Sequence, residues 1–146
     1  MQTVRFLKLR ENAQKPTYGS SGAAGADLCA CLSEESVTLQ PGETRLIPTG
    51  IAVEIPEGLV GLIYARSGIS VKRGLAPANK VGVIDCDYRG ELLVALYNQS
   101  QTPQTVENGE RIAQFVLTPY ITADFVEAES LDDTTRGVGG FGSTGK

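Results

Sequence analysis

The sequence contains no histidine and no tryptophan, and aromatic residues make up only 6% of it. Without histidine there is no Ser-His-Asp or Cys-His catalysis and no His-ligated metal. With so few aromatics, an extended platform for stacking nucleic-acid bases is not expected. Basic charge is also scarce. Thirteen Lys and Arg face seventeen Asp and Glu, for a net charge of −4. That balance disfavours wholesale binding to a phosphate backbone, so no nucleic-acid partner is expected. No window is long and apolar enough to span a membrane. The opening Met1-Gln2-Thr3-Val4-Arg5-Phe6 lacks the apolar run of a signal peptide. Cysteine is rare and odd in number: Cys29, Cys31 and Cys86. Three sulfurs without histidine make a poor zinc site. They read as reduced, buried thiols in a cytoplasmic protein.

What is present is a chain of 146 residues, the length of one ordinary domain. Gly 17 and Pro 7 together make about one residue in six. Breakers at that density leave few stretches for a helix of ten or more residues. Short apolar runs recur instead at intervals of eight to twelve. They lie at 4–9, 26–32, 37–39, 44–47, 51–55, 59–64, 81–84, 91–97, 111–117 and 124–126. Pro41-Gly42, Pro48-Thr49-Gly50 and Pro56-Glu57-Gly58 separate several of them as turns. Even spacing of short strands predicts an all-β sandwich, jelly roll or barrel. One short helix is predicted after Ser67, running through Val71-Lys72-Arg73 to Gly74.

The composition changes near Ser130. Five of the glycines fall between Arg136 and Lys146, and a segment of that kind cannot build its own core. Gly137-x-Gly139-x-x-Gly142 matches a dinucleotide fingerprint, and Gly140-x-x-x-x-Gly145-Lys146 matches the start of a P-loop. Both motifs require a strand before and a helix after, and here no helix follows and no Ser or Thr comes after Lys146. The common physics remains: glycine backbones curl round anions, and Arg136 offers a cationic fork.

Four further segments are candidates for chemistry. Asp85-Cys86-Asp87-Tyr88-Arg89-Gly90 follows the apolar run Val81 to Ile84. A tight hairpin accounts for Asp87 and Gly90. Asp85, at the end of an apolar strand, is placed for partial desolvation. In a chain without histidine a carboxylate is the natural general base. The pattern alone leaves turn residue and base both open. Ala65-Arg66-Ser67-Gly68 joins an arginine, a hydroxyl and free backbone N–H groups at a helix start, which suits either an anion or a simple cap. Asp27 in Ala24-Gly25-Ala26-Asp27-Leu28 and Gln114 in Glu110-Arg111-Ile112-Ala113-Gln114 read singly as ordinary strand residues.

In order, these segments resemble the five motifs of the trimeric dUTPase family. The first is similar to Ala24–Leu28, the second to Ala65–Gly68 and the third to Gly82–Gly90, with Asn79 just upstream. The fourth is similar to Gly109–Gln114, and the fifth to the tail from Arg136 to Gly145. The resemblance implies an all-β, distorted jelly-roll subunit over 1–129. It also implies a Gly-rich arm over 130–146 that closes over an active site of a homotrimer. The implied reaction is Mg²⁺-dependent hydrolysis of dUTP to dUMP and pyrophosphate by water attack on the α-phosphorus. That reaction limits uracil incorporation into DNA and supplies dUMP for dTTP synthesis. Each site is implied to draw on three subunits.

By resemblance, Asp85 is the general base and Tyr88 packs under the deoxyribose. Asn79 and the backbone of Gly82, Val83 and Ile84 form the uracil pocket. Arg66, Ser67, Gly68 and Gln114 contact phosphate. Asp27 reaches Mg²⁺ through coordinated water, an ion that otherwise sits on phosphate oxygens. In the arm, Arg136, Ser143 and Thr144 meet the γ-phosphate, Gly142 also binds substrate, and Phe141 stacks on uracil. Hydrogen bonds reject cytosine strongly, whereas the thymine methyl must be rejected by steric clash. A dCTP deaminase or bifunctional relative, a nucleotide-responsive binding protein and a jelly-roll shell subunit are the alternatives.

Overall fold

A computed structural model describes residues 2–140. Eleven strands and one short helix occupy the chain as far as Pro119. They are β1 (Arg5–Lys8), β2 (Thr17–Tyr18), β3 (Ala26–Cys29), β4 (Ser36–Leu39), β5 (Thr44–Glu54) and β6 (Leu59–Tyr64). Next come α1 (Ser67–Arg73), β7 (Leu75–Pro77), β8 (Gly82–Ile84), β9 (Glu91–Asn98), β10 (Gln104–Glu107) and β11 (Arg111–Pro119). Every pairing is antiparallel. One sheet runs β1-β5-β9-β7, a second β2-β3-β11-β6-β8, and a two-stranded ribbon joins β10 to β4. The expected all-β jelly roll with one short helix is the fold observed.

Alternation explains the layers. Along β9, Leu92, Val94, Leu96 and Asn98 point inward, while Leu93 is exposed. All three sheets feed one buried cluster. It includes Leu28, Ile63 and Ile112 from the second sheet, Ile47, Leu92 and Leu96 from the first, and Leu39 and Val106 from the ribbon. Asn98 is fully buried yet satisfied. Its Nδ2 donates to the Leu39 and Thr102 carbonyls at 3.0 and 2.8 Å, and its Oδ1 accepts from Ser100.

The structure departs from the strand reading at Pro48-Thr49-Gly50. No turn divides the chain there. β5 runs through all three residues, and its pairing with β9 shifts register between Pro48 and Ala52. The irregularity is a satisfied bulge. The Pro48 carbonyl accepts from Cys31 N at 2.7 Å, Thr49 Oγ1 donates to the Leu92 carbonyl, and Gly50 N donates to Glu91 Oε1. Gly50 takes φ +67°, and a Cβ there would stand 2.7 Å from the Ala13 Cβ. Only glycine fits both constraints.

The expected strand at 124–126 is absent. No regular structure follows Pro119 among the described residues, and Phe125 and Val126 are exposed. A strand needs a neighbour to bond, and none is offered among the described residues. The short β2, β7 and β10 complete the sheets without a clear alternating signal of their own. Among the described residues, no helix is long and apolar enough to cross a membrane. All three cysteines are free, with Cys31 buried and the other two partly so.

Candidate active site

Strand register assembles the first half of the site. Gln114 on β11 pairs with Asp27 of β3 on one side and with Tyr64 of β6 on the other. Residues far apart in sequence therefore form one row across the sheet. Just beyond Tyr64 the chain turns into α1, which brings Ala65 and Arg66 alongside. Arg66 Nε donates to Asp27 Oδ1 at 2.6 Å, and Arg66 Nη1 donates to the Arg111 carbonyl at 3.2 Å. Gln114 Nε2 donates to the Ala65 carbonyl at 2.9 Å. The Asp27 side chain is only 13% exposed, and its second oxygen accepts from Arg111 Nη1 at 3.1 Å. Two guanidinium groups thus face the two oxygens of one carboxylate. Nearby, burial and the Asp27 charge hold the Cys29 thiol above its ordinary pKa.

Arg111 does not stand out in the sequence, and the reason is structural. Strict alternation would set Arg111 and Gln114 on opposite faces. A bulge in the β11–β3 pairing between Arg111 and Ala113 puts both on the Asp27 side and buries Ile112 and Ala113 together. Two adjacent buried apolar residues are the only trace of this in the sequence.

α1 begins after Arg66, which makes no side-chain capping bond, and ends at Gly74 with φ +68°. Ser67 and Gly68 are exposed at its start. Ile69 is its buried residue.

The second half of the site lies on β8 and the turn into β9. β8 is the edge strand of its sheet and pairs only with β6 among the described strands. One side of the Gly82–Ile84 backbone is left free for another partner. Asn79 is exposed just before it, with Nδ2 3.5 Å from the position a Cβ on Gly82 would take. Asp85 opens a turn in which Tyr88 N donates to its carbonyl at 3.2 Å. The Tyr88 hydroxyl donates to the Glu91 carbonyl at 3.0 Å. Asp85 is exposed, so the desolvation expected from its strand end is not supplied by its own chain. A cavity of about 540 Å³ beside it is lined by Val60, Leu62, Val83 and Tyr120.

The two halves do not meet within one chain. β8 runs against β6 with Gly82 beside Ile63 and Ile84 beside Gly61. Asp85 therefore follows at the level of Val60, whereas Arg66 lies beyond the other end of β6. Six residues of extended chain separate those levels, or about 20 Å. Arg136 joins neither half: its Nε donates to the Gly139 carbonyl within its own segment. Phe141, Gly142, Ser143 and Thr144 lie outside the described residues.

The dUTPase family model matches residues 11–145. The chain belongs to the dUTPase family. Among its dUTPase relatives, the deoxyuridine 5'-triphosphate nucleotidohydrolase of Desulfitobacterium hafniense is 50% identical over 143 residues, covering 97% of this chain and 94% of the relative. The enzyme of the same name from Acinetobacter baumannii is 48% identical over 132 residues, covering 90% and 87%. The dUTPase of Staphylococcus bacteriophage 80alpha, solved with dUpNHpp, superposes with a TM-score of 0.90 at 32% identity over the whole of both chains. A mutant dUTPase from phage phi11 of S. aureus, solved with a structural Mg(II) ion, has a TM-score of 0.79 at 30% identity. It covers 88% of this chain and 98% of the phage protein.

Proposed function

We propose that this chain hydrolyses dUTP to dUMP and pyrophosphate in a cytoplasmic homotrimer whose active sites are shared between copies. The observation that carries the shared site is the register of β6. It sets Asp85 and Arg66 at opposite ends of one strand, too far apart to meet one triphosphate. Bringing the Asp85 turn of one copy to the Asp27–Arg66–Gln114 row of another completes the set. Exposed Leu46, Val83 and Leu93 supply apolar surface for that contact.

In this reading Asp85 takes a proton from water as the oxygen attacks the α-phosphorus. The bond from the α-phosphorus to its bridging oxygen breaks, and pyrophosphate leaves with the electron pair. Arg66, Ser67, Gly68 and Gln114 hold the phosphates, so catalysis rests on positioning and charge neutralisation. The free edge of β8 pairs with uracil through Gly82, Val83 and Ile84, beside Asn79. Tyr88 lies under the deoxyribose, where a 2′-hydroxyl would clash. Residues 1–129 act as the folded body. Residues 130–146 act as the arm, bringing Arg136, Phe141, Gly142, Ser143 and Thr144 over the nucleotide and excluding water.

The donor set fits Mg²⁺ that arrives on the triphosphate. No group of three His, Cys, Asp or Glu side chains able to hold a metal occurs among the described residues. Asp27, with both oxygens already held by arginines, is suited to accept from a metal-bound water rather than to bind the ion directly. Bound there, Mg²⁺ would neutralise phosphate charge.

The test is pyrophosphate release with Mg²⁺ from dUTP, dCTP, dTTP and UTP in parallel. Release from dUTP alone is expected. Ammonia from dCTP would favour a deaminase instead, and no release from any of the four would overturn the hydrolase.

A further inference from the structure

Helix α1 is short for the work its neighbours ask of it. Seven residues barely exceed the nucleation length of a helix, and Ile69 is its buried anchor. Something else must fix how it lies. Its last residue, Arg73, is held on three sides. Its Nη1 donates to Glu110 Oε1, its Nη2 to the Thr105 carbonyl, and its Nε to Gln104 Oε1 at 3.2 Å. Glu110 is itself fixed, because its second oxygen accepts from the Glu107 N–H at 3.1 Å. At the other end, Arg66 is held by the carbonyl of Arg111 and by Asp27, whose free oxygen the Arg111 side chain takes.

We propose that Glu110 and Arg111, adjacent at the start of β11, are positioning residues that clamp the two ends of α1 and so set the pose of the Arg66 guanidinium. The proposal rests on the reading of Arg66 as a phosphate contact. Neither Glu110 nor the side chain of Arg111 need touch the substrate. The clamp works because one dipeptide, the last turn residue and the first residue of β11, reaches both ends of a helix about 10 Å long. The side chains of Arg73 and Glu110 are 29% and 22% exposed, so solvent screens the pair only in part.

The test compares Glu110→Gln and Arg73→Lys in the full-length protein. Glu110→Gln keeps the side-chain shape and the bond from Glu107, so folding is retained. Amide hydrogen exchange is read for residues 67–74 against β11, and KM and kcat for dUTP are read separately. In Glu110→Gln, exchange in α1 is expected to rise while β11 is unchanged, with KM up about two- to fivefold and kcat little altered. Arg73→Lys keeps the charge but loses the fork, and is expected to fall between wild type and Glu110→Gln. Unchanged exchange in α1, or faster exchange with unchanged KM, overturns the proposal. If the wild type releases no pyrophosphate from dUTP, the hydrolase reading fails, whereas the exchange measurement still decides whether Glu110 holds the helix.

Discussion

Gly25 and Gln114 fit each other with no room to spare: a Cβ on Gly25 would stand 2.5 Å from Gln114 Oε1 and 3.1 Å from its Cβ. The Gln114 amide is thereby directed at the Ala65 carbonyl, 2.9 Å away. Gly25→Ala must displace that side chain and loosen the link between β11 and the start of α1. The expected loss is about 1–3 kcal/mol of stability, the usual cost of overpacking, with a raised KM for dUTP. Chemical denaturation and steady-state kinetics on the same sample check it. Wild-type values in both would refute the fit.

Asp85→Asn removes the proposed base but leaves the turn nearly isosteric. Turnover of dUTP is expected to fall about 10²- to 10⁴-fold. Binding of the analogue dUpNHpp, followed by calorimetry, is expected to persist. Near-normal turnover would take Asp85 out of that role.

Removing residues 130–146 deletes no strand and no core residue among those described. Thermal stability is expected to stay within about 0.5 kcal/mol of wild type while turnover drops sharply. A truncated chain that unfolds would make the arm structural.

A mixing experiment tests the proposed shared site. Asp85→Asn and Arg66→Gln chains are each expected to be nearly inactive alone. Refolded together in equal amounts, they are expected to regain about a quarter of the wild-type sites, since each site then draws Asp85 and Arg66 from different copies. No recovery on mixing, with both chains folded, would mean that each site is built within one copy.

Glu43 provides a pH prediction. The Gln40 N–H, at 2.7 Å, and then Arg45 hold its carboxyl below the usual carboxylate range. A carboxylate with a lowered folded pKa stabilises the fold above its unfolded pKa, and that contribution is lost as pH falls through the folded one. Glu43→Gln is therefore expected to be less stable than wild type at neutral pH, with the gap closing in acid. Urea melts at the two pH values measure it. A gap of equal size at both would show that the charge does not contribute.

Most strands are legible from alternation, because burial on one face imposes a period of two. Elements that depend on a partner are not. The Pro48–Gly50 segment carries every local mark of a turn, yet Cys31, Glu91 and Leu92 satisfy it as a bulge. The 124–126 run has strand composition but no neighbour among the described residues. Asp27, Arg66 and Gln114 can be named from their motifs. Their meeting cannot, because it follows from Gln114 lying between β3 and β6 in a particular register. Arg111 is hidden by the β11 bulge, which breaks the alternation relating it to Gln114.

Strand β6 keeps the two halves of the site apart much as a ruler would. In the proposed trimer, a newly made copy holds every group it needs and can use none of them together. Turnover then reports the number of completed seams rather than the number of chains. On dilution through the association range, activity falls faster than concentration, and nucleotide bound across a seam holds the copies together.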